Sequence, residues 1–502
     1  MSPPGLPDHP GDLRLALNWF HTWFGLFLGG LLFVIFWMGT LAVFDREIDR
    51  WMMPATRLST PPPVSADALL PALGDHARTA RSWRMILPDS RTPVAEVQIR
   101  PASGDFIRHF VDPATLRIVP EPGTFGGTRF FYPYHFRLNV GATGLWLCAF
   151  AAVVMMALCI SGIIIHRRIF ADFFTLRILR KPLRTVLDLH NLSGVLTLPF
   201  LLVISFTGVA IFTFAYLPTA QAILFDRDPA ATAAGYFSRP PAGRPGGPLV
   251  SLELLRDKAA VHWAGERPKY VQLIHPGDAN AYVEIRRPSA GTVSYSTEVI
   301  WYDAASGEFL VASPVTATRR FYDFIYGIHL VQFDHWPLRW LYFLSGLAGC
   351  LLIATGLLFW VQSRRKQHEK LGLHGVRVAE AASVAVTTGL LIASLGFLIA
   401  NRLLPVGLEG RAAMEVWIFH GVWAAAFLHA GIRGRVAWRE QAWMIAAGSL
   451  IAVLLNAVTT GQGLPFSLMG GFWPVLGVDL FLLASAAVAA LSANALRKGR
   501  TG

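Results

Sequence analysis

The chain has 502 residues, 53% of them hydrophobic and only 15% charged; a water-soluble globule has no interior large enough for so much apolar surface, so this is an integral membrane protein. Its net charge of +12 does not signal nucleic acid, because much of the excess sits in short connections between apolar stretches, where the positive-inside rule places it. The three cysteines, Cys148, Cys159 and Cys350, all lie inside apolar stretches, which excludes a disulfide framework, a zinc or iron–sulfur set and covalently attached c-type haem.

The first apolar stretch, residues 19–44, is preceded only by Arg14 and is too long for a signal-peptide core, so a retained helix is expected over 13–44. Residues 45–141 make a large polar segment. Pro54 and Pro61-Pro62-Pro63 give an extended lead-in, a short helix is expected over 66–73 before Gly74, and strands over 94–99 and 105–111, with Asp112-Pro113 turning the chain into 116–119. The second stretch, 142–165, is followed by a basic connection, 167–189, holding Arg167, Arg168, Arg177, Arg180, Lys181 and Arg184. The third, 191–216, leads into another polar segment, 217–337, laid out like the first. It has a Pro/Gly/Ala-rich linker over 231–248, a helix over 252–260, strands over 270–274, 281–285 and 299–302, and the turn Asp303-Ala304-Ala305-Ser306-Gly307 into 308–311. The fourth stretch, 338–361, is followed by the basic connection 362–378, and residues 379–502 hold four more stretches, 379–400, 413–431, 441–459 and 473–495. All eight are near the ~20 residues that a helix needs to cross ~30 Å of hydrocarbon.

The expected fold is an all-α polytopic membrane protein with about eight spans, an internally duplicated four-helix core and two small α+β domains outside the membrane. Basic clusters at 167–184, 364–377, 433–439 and 497–500 all fall on one side when both termini are cytoplasmic, which sets the orientation.

The duplication is read from landmarks. His21-Thr22-Trp23-Phe24-Gly25 opens the first stretch and His190-Asn191-Leu192-Ser193-Gly194 the third, with Gly39 and Gly208 each eighteen residues beyond the histidine. His135 precedes the second stretch and His329 the fourth; thirty-one residues on stand His166 and Trp360, directly after Gly162-Ile163-Ile164-Ile165 and Gly356-Leu357-Leu358-Phe359. Shared landmarks at fixed distances mark an internal structural repeat.

In this topology His21 and His190 sit at the inner mouths of the first and third spans, and His135 and His329 at the outer mouths of the second and fourth. Halves related by an axis along the membrane normal bring each pair face to face, which suits bis-imidazole ligation of one haem near each face. A flat macrocycle needs an apolar slot, an axial nitrogen from each side and cationic groups for its propionates. Trp23, Phe24, Phe136, Phe333, Gly25, Gly29, Gly144 and Gly194 are the candidate walls, with Arg137 outside and Arg167 or Arg364 inside as propionate partners. The bland alternative is that interfacial histidines anchor or cap helices; four at repeat-equivalent positions weigh against it. The glycines have their own alternative in close helix packing. His166, whose repeat partner is a tryptophan, stands as an inner ligand in place of His21, a further electron-transfer group or an interface residue. His420 and His429, nine residues apart on one span, point to nearly opposite faces and read as packing or polar contacts within the bundle. His76, His109, His262 and His275 read as surface residues of the outer domains, and His9, His335, His368 and His374 as flanks of spans.

The His-x-x-x-Gly helix openings, the Gly208 to Phe212 close, the turns at Asp112-Pro113-Ala114-Thr115 and 303–307, and the second histidine-bearing helix resemble the PepSY-associated transmembrane family over roughly residues 13–366. Members include inner-membrane ferric-siderophore reductases of Gram-negative bacteria, with two b-type haems in a four-helix core and PepSY-like periplasmic domains. The resemblance implies two haem b groups with His21, His135, His190 and His329 as iron ligands, His166 in reserve, and a bacterial inner-membrane location. It also implies a one-electron relay from an inner donor to a periplasmic ferric siderophore or other ferric chelate, whose iron is released as Fe(II) because hard oxygen ligands then hold it less tightly. The short inner connections carry no Gly-x-Gly-x-x-Gly between strand and helix, so the donor is quinol or a separate reductase. Two other function classes compete: a transporter whose histidines relay protons or bind metal, and a non-catalytic envelope regulator without cofactor. Spans five to eight lie beyond the resemblance.

Overall fold

Lipid offers no partner for backbone N–H and C=O groups, so each long apolar stretch must close its own hydrogen bonds as a helix. The computed structural model describes residues 10–58, 63–120, 123–166, 182–217, 237–289 and 291–498, and among them seven stretches are long and apolar enough to cross a membrane. The sixth, Arg411–Thr460, spans 50 residues and holds two helices. Gly434, at φ 53°, breaks it, and bonds from Arg433 to Glu440 and from Gln441 to the Ala426 carbonyl show the chain doubling back. Most of the basic connection, with Arg167, Arg168, Arg177, Arg180 and Lys181, lies outside the described residues, as do His9, Arg500 and residues 231–236 of the linker.

In chain order the first half runs α1 (Pro10–Ala42), α2 (Asp45–Met52), α3 (His76–Thr79), β1 (Ser82–Ile86), β2 (Ala95–Arg100), β3 (Ile107–Val111), β4 (Ile118–Val119), α4 (Phe131–Arg137) and α5 (Gly141–Ile165). The second half answers with α6 (Pro182–Ala210), α7 (Thr213–Tyr216), α8 (Leu252–His262), β5 (Tyr270–Ile274), β6 (Tyr282–Arg286), β7 (Val299–Asp303), β8 (Phe309–Ala312), α9 (Ala317–Leu330) and α10 (Trp336–Lys370). Beyond the repeat come α11 (Gly375–Leu403), α12 (Arg411–Arg433), α13 (Ala437–Thr460), α14 (Leu464–Met469) and α15 (Trp473–Lys498).

Helices α1, α5, α6 and α10 close a ring: α1 and α6 each pack on both α5 and α10. Equivalent helices of the two halves therefore stand diagonally opposite. The short helices α4 and α9 lead into α5 and α10 through residues of positive φ, Leu138 and Asn139 in one half and Val331 in the other. His335 then caps α10, its Nδ1 accepting the Leu338 N–H at 3.2 Å, so this flanking histidine has a helix-starting role.

The polar segments fold together rather than as two separate units. One antiparallel sheet of eight strands runs β4-β3-β2-β1-β5-β6-β7-β8, and its middle joint pairs β1 with β5, Arg84 opposite Gln272. Alternation sends Trp83, Met85, Val97, Ile99, Val271 and Val283 to one face, under Leu69 and Leu73 of a 3-10 helix at Asp67–Leu73 and under Leu252 and Leu255 of α8. The expected strands are present; β1 is an additional one. A helix was expected over 66–73, and Pro71 inside that turn accompanies its tighter winding.

Sheet and bundle meet at α2. The buried Glu47 carboxylate accepts from Arg91 at 2.9 Å and from Arg339 at 3.1 Å, and Arg91 also reaches Asp45 at 3.2 Å. Trp51 of α2 donates to Asp479 of α15 at 2.7 Å, and Arg57 donates to Asn456 of α13 at 2.8 Å. These bonds, together with the packing of α11 on α1 and α10, fasten the last helices to the ring.

Candidate functional site

His21 of α1 and His190 of α6 meet across the ring with centroids 6.4 Å apart. Each is aimed by its Nδ1, which donates to a carbonyl of the adjacent helix: Leu158 at 3.1 Å for His21 and Leu352 at 3.0 Å for His190. Those two carbonyls are repeat equivalents. Since a carbonyl can only accept, the proton is fixed on Nδ1 and the Nε2 lone pair is left free. Each ring also lies against a landmark glycine. A Cβ on Gly162 would stand 3.4 Å from His21 Cε1, and one on Gly356 3.0 Å from His190 Cε1.

At the sheet end the same device recurs. His135 and His329 have centroids 5.9 Å apart at an interplanar angle of 24°. His135 Nδ1 donates to the Ile35 carbonyl at 2.8 Å. His329 Nδ1 lies 3.0 Å from Thr207 Oγ1, whose own proton goes to the Val203 carbonyl, so the histidine is again the donor. Cβ atoms on Gly39 and Gly208 would come within 2.7 Å of His135 and 2.9 Å of His329. All four landmark glycines are thus seats for histidines of the neighbouring helix, and the helix-packing reading of them is secondary. Each half of the chain contributes one ring to each pair.

Two collinear metal–imidazole bonds of about 2 Å, plus about 1 Å from nitrogen to ring centre on each side, put paired imidazole centres about 6 Å apart. Both pairs have that spacing. Among the described residues no group of three or more His, Cys, Asp or Glu converges as the ligands of a bare ion would; two imidazoles suffice only where other donors supply the remaining positions.

The space around the two pairs differs. A cavity of about 640 Å³ surrounds His21 and His190, within the range of cofactor pockets. Its lining repeats the duplication, with Thr22 and Asn191, Gly25 and Gly194, Gly29 and Leu198, and His166 and Trp360 at equivalent positions. Arg14, Arg184 and Arg364 are among its basic residues. Around His135 and His329 the cavity is about 110 Å³, with Phe136 stacked on Phe212 at 5.4 Å among its walls. That pair has the donors but, with the rings as they stand, not the room for a macrocycle.

His166 lines the inner cavity without joining the pair. Its Nε2 meets the Asn191 amide at 3.3 Å; among the described residues its buried Nδ1 has no hydrogen-bond partner, and neither has the buried Nε1 of its repeat equivalent Trp360. Gly25, Gly29, Gly194 and Phe136 are walls as expected, and Arg364 stands at the inner cavity, its guanidinium 4.7 Å over the Trp360 ring. Trp23, Phe24 and Phe333 are not walls: Trp23 packs on Trp360 and Phe27, Phe24 on Phe20, and Phe333 is buried with Val43 and Phe343. Gly144 instead gives room to the Arg137 carbonyl at the end of α4, and Arg137 lies over Phe136. Arg167 lies outside the described residues. Arg14, Asn18 and Arg184 were missed; Arg14 stands seven residues before His21, on the same helix side, and that spacing was readable, whereas Arg184, six residues before His190, lies about a third of a turn away.

Beyond the outer pair, Tyr132 and Tyr326 each precede their histidine by three residues. Burial, and then the neighbouring Tyr326, push the Tyr132 phenol well above its ordinary pKa. His420 and His429 make polar contacts, His420 with the Val416 carbonyl at 2.8 Å and His429 with the Glu440 carboxylate at 3.0 Å.

The family model for the PepSY-associated TM region matches residues 18–363, the stretch that contains all four paired histidines and the sheet. An uncharacterized protein of Pseudomonas aeruginosa, PA4219, is 30% identical over 376 residues, which cover 70% of this chain and 90% of that relative. With its duplicated ring and its match across both halves, the chain belongs to the PepSY-associated transmembrane family.

Proposed function

We propose that the protein is a haem-bearing membrane oxidoreductase that passes electrons toward the sheet end, to a ferric chelate of the siderophore type. The observation that carries this reading is the pairing itself: four imidazoles, each with its proton fixed on Nδ1, each seated on a glycine, with centroids 6.4 and 5.9 Å apart. His21 and His190 would hold one haem b in the larger cavity. The basic residues on the wall suit the carboxylates of its edge. His135 and His329 offer the same donor set for a second, which requires Phe136 and Phe212 to leave the slot.

When bound, haem supplies a one-electron carrier between faces of the bilayer. The chain's own part is to aim the Nε2 atoms, exclude water from the apolar slots and present Tyr132, Tyr326 and the polar sheet face to an incoming chelate. The orientation follows the positive-inside pattern, with the sheet in the periplasm of a bacterial inner membrane.

Full-length protein purified in detergent tests this by its absorption spectrum before and after dithionite. A Soret band with sharp α and β bands on reduction is expected, with two haems per chain and reoxidation by an added ferric chelate. His21→Ala and His190→Ala should each remove the same haem, and His135→Ala and His329→Ala the other. A colourless preparation would overturn the reading.

A further inference from the structure

The two histidine pairs are aimed and seated alike but enclosed differently, and the difference comes from two rings that the duplication does not predict. Phe212 stands four residues beyond Gly208, where the first half has Val43 four beyond Gly39. Phe136 follows His135, where Leu330 follows His329. Each position thus accepts an aliphatic side chain in one half and a phenyl ring in the other. The two phenyl rings stack on one another, centroids 5.4 Å apart at 16°, and both line the cavity of about 110 Å³ at His135 and His329. Val43 lines the same cavity from the end of α1, the helix diagonally opposite α6. The crowding is therefore one-sided.

Neither ring is mounted within a long span. Phe136 lies in the last turn of α4, just before Leu138 and Asn139, whose φ angles are 51° and 54°. Phe212 lies in the joint between α6 and α7. Its N–H reaches back three residues, to the Val209 carbonyl at 3.3 Å, whereas the Ile211 N–H still reaches back four, to Thr207 at 3.0 Å. A phenyl at such a place turns about its own χ angles and the adjoining joint, and the hydrogen-bond ladder of a membrane helix stays closed.

The ties on the two rings are aromatic. Tyr132 lies 5.1 Å from Phe136, Tyr216 lies 6.3 Å from Phe212, and the Arg137 guanidinium sits 5.0 Å over Phe136. Contacts of this kind are weak one by one. Tyr216 itself is anchored to α5, its hydroxyl donating to the Leu145 carbonyl at 3.4 Å and its ring 5.0 Å from Trp146. The joint thus has a fixed post beside a ring that is held only by stacking.

We propose that Phe136 and Phe212 are a shutter over the outer pair: stacked, they bar a flat ligand from the free Nε2 atoms of His135 and His329, and parted they admit it. The inner pair has no such rings, so the two pairs fill in order, inner before outer. Haem as the ligand rests on the function proposed above, whereas the shutter is tested without it.

Full-length protein from a haem-deficient host, in detergent, is treated with diethyl pyrocarbonate, which acylates free imidazole nitrogen, and each histidine is followed by mass spectrometry. His21 and His190 are expected to label faster than His135 and His329. Phe212→Val, which installs the residue of the first half, should speed labelling of the outer two roughly fivefold, the weight of one aromatic stack, and leave the inner two unchanged. Haemin added to the same protein should enter in two phases. The slower should be absent in His135→Ala and quickened in Phe212→Val.

Equal labelling of both pairs in the wild type overturns the shutter, as does outer labelling that Phe212→Val leaves unchanged. If Phe212→Val does not fold, Phe136→Leu takes its place with the same two outcomes. Labelling as expected in a protein that takes up no haemin removes only the haem reading. Two haems entering in one phase, with outer labelling indifferent to either variant, removes only the shutter.

Discussion

At the scale of single residues, the seating of each histidine on a glycine makes a graded prediction. Alanine at Gly39 places a methyl 2.7 Å from the His135 ring, at Gly208 2.9 Å from His329, at Gly356 3.0 Å from His190 and at Gly162 3.4 Å from His21. Overpacking of this kind costs about 1–3 kcal/mol. On the haem reading proposed above, Gly39→Ala should therefore lose the pigment of the outer pair most completely, while Gly162→Ala should lose little, as read by haem content per chain. Glu47 gives a pH prediction. Burial alone raises its pKa, but the Arg91 and Arg339 guanidinium groups more than offset that and bring it down to about 2. A folded value below the unfolded one means that the stabilisation is complete above about 4.5 and is lost as pH falls from there toward 2. Glu47→Gln should abolish that acid-dependent loss and, by leaving buried Arg339 without a carboxylate and Arg91 with Asp45 alone, lower stability by about 3–5 kcal/mol in thermal unfolding at neutral pH. Of the site, the four histidines and four glycines were legible because duplication repeats them. Arg14 was legible only through helical phase, whereas Arg184, which is off that phase, and the Nδ1 of His166 were not legible, since both depend on what other helices leave unfilled.

At the scale of elements, the strand joint is the feature that no local pattern reveals. Each half of the sheet follows from alternation and turn residues, but β1 is five residues long with Arg84 at its centre, and its partner β5 lies far along the chain. Register between such distant strands is set by burying Met85 and Val271 on the same face. Met85→Pro should remove a ladder hydrogen bond at that joint. Hydrogen exchange is then expected to rise in both β2 and β6, on either side of it; a change confined to the first half would mean that the two halves fold as separate units. The α2 helix was equally hard to read. Its residues carry no repeat landmark, and what holds it in place is Trp51 donating to Asp479 of α15.

At the scale of the whole molecule, the ring was legible from composition, repeat and charge, whereas the attachment of the last helices was not. That attachment is polar: Asp479 accepts from Trp51 and Asn456, and Asn456 accepts from Arg57. Asp479→Ala leaves these donors buried and unmade, and about 2–3 kcal/mol of stability should go with them, lowering the thermal midpoint without changing the histidine pairs or haem content. The diagonal placement of the two halves has a consequence for biogenesis. A nascent chain with only two spans inserted owns one jaw of each clamp and can grip nothing. The His21–His190 pair can therefore close only once the third span has followed, and the His135–His329 pair only once α9 has.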